Sequence, residues 1–154
     1  MTYSYLAFGF DLKTAHPFTR VDEYGEPEQN WMDFLAQKAG LRKPAELGED
    51  DYDDEAKQAE NQEAFEQYYA AQRALLEPLG CQLSSYGFEQ APEFFVELVL
   101  PQDKRYAHCR QLELEQMKAV DNEANRELLR RFCSLLEIEF SEPGWCLLRS
   151  IGDD

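Results

Sequence analysis

The chain reads as an α+β domain of ferredoxin-like topology: one antiparallel sheet in the order βαββαβ, two main helices on one face, and a helical insertion after the first strand. Three observations lead there. Alternating apolar residues mark a strand near each end and a pair of strands in the middle. Two stretches with apolar residues at helical spacing separate them. The 154 residues are 44% hydrophobic and 13% aromatic, enough to fill one core, so a single domain over 1–154 is expected.

The first strand spans 3–12. Leu6, Phe8, Phe10 and Leu12 share one face, and Tyr3, Tyr5, Ala7, Gly9 and Asp11 the other. His16-Pro17 and Gly25-Glu26-Pro27 punctuate the loop that follows. Asn30 has the character of a helix N-cap, with Trp31, Phe34 and Leu35 on the apolar side and Gly40 as the stop. Residues 42–54 lack apolar periodicity and carry Pro44, Gly48 and a run of carboxylates, which marks an exposed acidic connection. A long helix starts near Glu55. Phe65, Tyr68, Tyr69, Gln72, Leu75, Leu76 and Leu79 form its inner stripe, Glu55, Glu63, Glu66 and Glu77 lie opposite, and Pro78 and Gly80 end it.

Strands are expected over 81–88 and 94–100, joined by a hairpin loop at Glu89-Gln90-Ala91-Pro92. Residues 105–114 alternate loosely and suggest a further short strand. The last helix spans 122–137, capped by Asp121, with Ala124, Leu128, Phe132, Leu135 and Leu136 inward and Arg126, Arg130 and Arg131 outward, where pairing with the acidic helix is expected. Trp145–Ile151 is the final strand, after the turn Glu142-Pro143-Gly144.

Charge is the feature with functional content. The chain carries 31 Asp+Glu against 15 Lys+Arg, a net charge of -16. Free nucleic acid and anionic membrane surfaces are disfavoured as partners, and a basic protein surface is favoured. Asp50, Asp51, Asp53, Asp54, Glu55, Glu60, Glu63 and Glu66 stand against Lys57 alone, and are the expected partner-binding residues. Along one continuous helix they would place a net charge every ~3.6 Å, near the ~3.4 Å phosphate spacing of one DNA strand. That spacing points to nucleic-acid mimicry; a solvated acidic face that keeps the protein soluble is the plainer alternative. Asp51, Asp53 and Glu55 also have the spacing that opens a calcium loop, but Ala56 stands where such a loop needs glycine and Gln62 where it needs glutamate, so no metal is expected.

Tyr3, Tyr5, Tyr86, Phe88 and Phe95 fall on one sheet face and form a candidate self-association face, unless the insertion helix covers it. Base stacking there is disfavoured, because Pro92-Glu93 replaces the basic residue and glycine that precede such aromatic strands in RNA-binding domains. Cys81, Cys109, Cys133 and Cys146 are spaced singly and read as reduced, buried thiols rather than a zinc site. His16 reads as an exposed loop residue. His108 and Cys109 are adjacent and would point to opposite faces of a strand, so they do not form a nucleophile pair. No phosphate-loop, dinucleotide, zinc-protease or nucleophile-elbow motif occurs, and no catalytic residue or cofactor is expected. The N-terminus has no export signal and no apolar run spans a bilayer, so a cytoplasmic protein is expected.

Ser4-Tyr5-Leu6-Ala7-Phe8-Gly9-Phe10-Asp11-Leu12, Leu76-Glu77-Pro78-Leu79-Gly80-Cys81 and Pro143-Gly144-Trp145-Cys146-Leu147-Leu148 resemble segments of small acidic accessory proteins of tailed bacteriophages. The resemblance implies an accessory role inside a bacterial host cell and carries over no catalytic residue. The expected function is therefore non-catalytic binding, as an inhibitor that occludes a basic surface of a host nucleic-acid-handling or defence complex. A self-assembling structural protein, possible as a homo-oligomer through the aromatic face, is the first alternative. A small ligand-binding protein or enzyme with a pocket between sheet and insertion is the second.

Overall fold

The computed structural model describes residues 2–13, 16–88, 91–100 and 114–151. The fold is α+β. In chain order it contains β1 (Thr2–Asp11), α1 (Trp31–Lys38), α2 (Glu55–Leu76), β2 (Cys81–Phe88), β3 (Ala91–Leu98), α3 (Leu114–Val120), α4 (Glu123–Leu136) and β4 (Gly144–Ile151). Short 3-10 turns occupy Glu49–Asp51 and Glu77–Leu79. The chain divides into two compact units, one from the segments up to Gln29 and from Gly80 onward, the other from Asn30–Leu79.

The first unit is built on two long antiparallel ladders. Thr2–Gly9 of β1 pairs with β4 over eight positions, and β2 pairs with β3 over eight. The ladders join where Gly9, Phe10 and Asp11 meet Glu97, Val96 and Phe95. Gly9 is required there: a Cβ would sit 1.8 Å from the Val96 carbonyl oxygen. Gly87 and Phe88 then pair with Ser150 and Ile151 in parallel, and the sheet closes. Four strands alternating in direction around a simple cylinder would meet antiparallel at the last seam. A parallel seam requires the β2–β3 ribbon to fold across the β1–β4 ribbon, which strong twist and coiling permit.

Closure decides the fate of the aromatic face. Tyr5, Ala7, Phe95 and Leu148 form a buried cluster with Tyr86 and Cys146 packed against it. Tyr5 and Phe95 are 6% and 1% exposed, so they have no surface to offer a second copy. The expected self-association face is corrected on this point: the sheet covers much of that face with itself. Phe88 does lie out at 60% exposure, and the side chain of Tyr3 is outside the described set.

The opposite side carries Phe8, Phe10, Val96, Leu98, Cys81 and Leu83, all buried. It faces α4, which contacts β2 and β3. Leu129, Phe132, Cys133 and Leu136 are at most 1% exposed and fall within about 100° of the helix circumference. Each such burial contributes roughly 1.5–3 kcal/mol. This stripe is rotated from the expected one, since Ala124 and Leu135 are exposed. Asn122, not Asp121, caps the helix by accepting from the Asn125 N–H, and Glu137 closes it in the left-handed region at φ 60°.

Other boundaries also moved. The described end of the loosely alternating 105–114 segment, Leu114, opens α3 instead of a strand; the remainder lies outside the described residues. Ala91 and Pro92 belong to β3, not to the hairpin loop. The element order is thus βααββααβ with a closed sheet, and the six-element order expected from the sequence is not what forms. The insertion helix α1 before α2 forms as expected; the second connection also holds two helices, α3 and α4, separated by the Asp121-Asn122 turn.

In the second unit Asn30 caps α1 as expected, accepting from Met32 and Asp33, and Asp54 caps α2, accepting from Ala56 and Lys57. Asp33 ties the unit together. One carboxylate oxygen accepts from the Tyr68 hydroxyl at 2.8 Å and the Gln72 amide at 2.9 Å, and the other meets Lys43 Nζ at 2.8 Å. Tyr68 and Gln72 are the buried residues of α2.

Candidate functional site

The predicted partner-binding carboxylates lie in the second unit, on α2 and its lead-in. Asp50, Asp53, Asp54, Glu55, Glu60, Glu63 and Glu66 are exposed and Asp51 is half-buried. Among the described residues the one ion pair any of them makes is Asp51 with Lys57. Asp54 is engaged as the helix cap, Glu63 accepts from Gln67 and Glu66 from Gln62. On the helical wheel Glu55, Glu63 and Glu66 fall within about 80°, with Glu77 between them, turned away from Tyr68 and Gln72. The connection 42–54 is largely exposed, and Asn61 steadies it by donating to the Ala45 carbonyl.

The geometry revises the charge spacing. A continuous helix from Asp50 to Glu66 does not form, because the 3-10 turn ends at Asp51 and α2 begins only at Glu55. From Glu55 to Glu66 four glutamates and Lys57 leave one net charge per ~5.5 Å of helix, sparser than phosphates on a DNA strand. The lead-in residues Asp50, Asp51 and Asp53 raise the local density at the helix N-terminus, where the macrodipole favours negative charge.

Arg126 and Arg130 of α4 are engaged close to home. Arg126 pairs with Asp121 and Glu142, and Arg130 with Glu123 and Glu127. Arg130 also lies 5.1 Å from the centroid of the Phe140 ring. Helix spacing and the adjoining turn bring these sequence-near partners within reach. The hydrogen bonds hold both guanidinium groups above the ordinary arginine pKa.

The first unit holds a polar constellation that strand alternation placed on the inner face without marking its role. Glu97 is fully buried opposite Gly9 and accepts from Ser84 Oγ at 2.7 Å and from Gln82 Nε2. At the far end of the same face the Tyr86 hydroxyl donates to Asp11 at 2.6 Å. Burial first, then Asp11 and Glu93, push the Tyr86 phenol far above its usual pKa. Two open clefts of ≈ 500 and ≈ 470 Å³ flank Asp11 and share Leu12 and Lys13. Cys146 lines the larger, and burial raises its thiol pKa, which leaves a poor nucleophile. The second cleft is also lined by Thr19, Tyr86, Glu93 and Phe94, and its one aliphatic hydroxyl, on Thr19, donates to the His16 carbonyl at 3.0 Å instead of to a side-chain base.

Remaining candidates are quickly placed. His16 is half-buried, not exposed: its ring stacks on Phe18 at 4.5 Å and Nδ1 accepts the Phe18 N–H at 3.4 Å. His108 and Cys109 lie outside the described residues. Cys81 and Cys133 are buried, and burial pushes their thiols up to about 12 and about 11. Among the described residues no cluster of His, Cys, Asp and Glu is placed to hold a metal ion, and no helix is long and apolar enough to cross a membrane. No family model, curated protein or solved structure matches the chain.

Proposed function

We propose that this protein works by binding rather than by chemistry, presenting the acidic surface of α2 and its lead-in to a basic protein surface. The observation that carries this reading is the imbalance on α2 and its lead-in: of the eight predicted partner-binding carboxylates one is ion-paired, and the side of α2 turned away from Glu55, Glu63 and Glu66 is used for packing. Such a surface accelerates encounter with a cationic partner and favours it over anionic ones. The partner class that fits is a nucleic-acid-handling or defence complex of a bacterial host, whose basic groove the acidic surface would occlude. A bacteriophage accessory inhibitor in the host cytoplasm is the biological setting that the sequence resemblance supplies. The density on α2 argues for general electrostatic complementarity over a close copy of phosphate spacing.

For the scaffold, we read the first unit as a ferredoxin-like sheet rolled shut. The antiparallel neighbour order β2-β3-β1-β4 supports that reading, while the closing seam and the doubled helices depart from it.

The test replaces Asp50, Asp53, Glu60 and Glu63 with Asn or Gln, leaving the Asp54 cap and the Asp51–Lys57 pair intact. Immobilised wild type and variant are compared for proteins retained from bacterial lysate at low and high salt. The expected result is a set of basic proteins held by the wild type at low salt, with retention lowered about tenfold in the variant, as four exposed pairs of a few tenths of a kcal/mol each require. Equal retention by both proteins, with no dependence on salt, would refute the proposal.

A further inference from the structure

The four ladders of the closed sheet are unequal. Among the described residues, eight pairs join β1 to β4, eight join β2 to β3, three join β1 to β3, and two join β2 to β4. This last seam closes the sheet, and among the described residues it has the fewest paired positions to resist opening. It begins at Gly87, whose φ of 85° is a conformation few other residues tolerate, so the strand bends where the seam starts. One residue before the bend, the Tyr86 hydroxyl reaches over the inner face to Asp11 of β1 at 2.6 Å. The Tyr86 ring meets Phe95 edge-on at 6.4 Å beneath that reach. The strand carrying the weak seam is therefore braced by a solvent-exposed charge-assisted hydrogen bond from β2 to β1.

We infer that the β2–β4 seam is a gate latched by Tyr86 and Asp11, and that releasing the latch swings the end of β2 away and bares Tyr5, Phe95 and Leu148. The seam opens locally because β1–β4, β2–β3 and the Gly9–Glu97 junction remain intact when it parts. Glu93 also faces the Tyr86 hydroxyl, from β3 on the same ribbon as β2. A tyrosine released by Asp11 keeps an acceptor that moves with it, so the open state leaves no buried hydroxyl unsatisfied. Asp11 is exposed and lines both clefts, so a group that binds there competes for the latch from outside.

Amide hydrogen exchange resolved along the chain tests this, on the full-length wild type and on Tyr86→Phe and Asp11→Asn. In the wild type, the seam amides of 87–88 and 150–151 should exchange faster than those of 4–8 and of α4. Losing one charge-assisted bond should speed the seam amides about ten- to hundredfold in Tyr86→Phe, with 4–8 and α4 unchanged. Asp11→Asn keeps an acceptor oxygen but loses its charge, so it should speed the same amides by a smaller factor, and adding it to Tyr86→Phe should change little, because both act on one interaction. Seam amides as protected as those of α4 in the wild type would overturn the inference. So would acceleration spread evenly over every strand and α4, which marks lost global stability, or additive effects of the two substitutions.

Discussion

Replacing Asp33 with alanine should loosen the second unit by about 2–4 kcal/mol, a loss that can be worked from its three bonds. The Tyr68 hydroxyl and the Gln72 amide, both buried, lose their shared acceptor. Each orphaned donor costs roughly 1–3 kcal/mol, reduced because the two groups, 3.4 Å apart, can still bond to each other. The Lys43 bond is exposed and adds at most about 1 kcal/mol. Asparagine keeps an oxygen facing Tyr68 and Gln72, so Asp33→Asn should cost about half as much. Urea unfolding followed by far-ultraviolet circular dichroism measures both, since α1 and α2 carry much of the helix signal. Burial works to raise the Asp33 pKa, but the bonds from Lys43, Tyr68 and Gln72 outweigh it and the folded value lies below the ordinary one. The bonus is therefore complete above the unfolded carboxyl pKa of about 3.9 and fades as pH falls through the lower folded value. The gap between wild type and Asp33→Ala should be flat near neutrality and narrow below about pH 4. A loss under about 0.5 kcal/mol, or a gap that widens on acidification, would refute the assignment of Asp33 as the tie between α1 and α2.

Two further outcomes follow from the first unit. Gly9→Ala puts a methyl group 1.8 Å from the Val96 carbonyl, which is backbone and cannot rotate aside; the cost should exceed about 3 kcal/mol and show as a large fall in the urea midpoint, and a fall of less than about 1 kcal/mol would mean β1 and β3 are not held this close. Cys81 and Cys133, with thiols pushed up to about 12 and about 11 by burial, should resist a thiol reagent near pH 8 until urea is added; mass-mapped labelling of either in the native protein at the rate of the unfolded chain would contradict the packing of α4 on β2.

Much of the local structure was legible in the residues. Asn30 announced the start of α1, apolar periodicity placed α2 from about Glu55, alternation placed β1, β2 and β4 within a residue or two, and the wheel of α2 separated its glutamates from Tyr68 and Gln72. These features depend on neighbours in sequence, where propensity, capping and periodicity act. The acidic candidate site was visible for the same reason, since charge is a property of composition.

The sheet closure, the burial of Tyr5 and Phe95, and the Glu97 and Asp11–Tyr86 networks were decided by the tertiary structure alone. Alternation says that Tyr5, Tyr86 and Phe95 share a face, but not whether that face meets solvent, a helix or itself. The answer depends on contacts such as Gly87 with Ser150 and Tyr86 with Asp11, between residues more than sixty positions apart. No local pattern encodes the twist that brings such residues together, and the burial of a face follows from that twist.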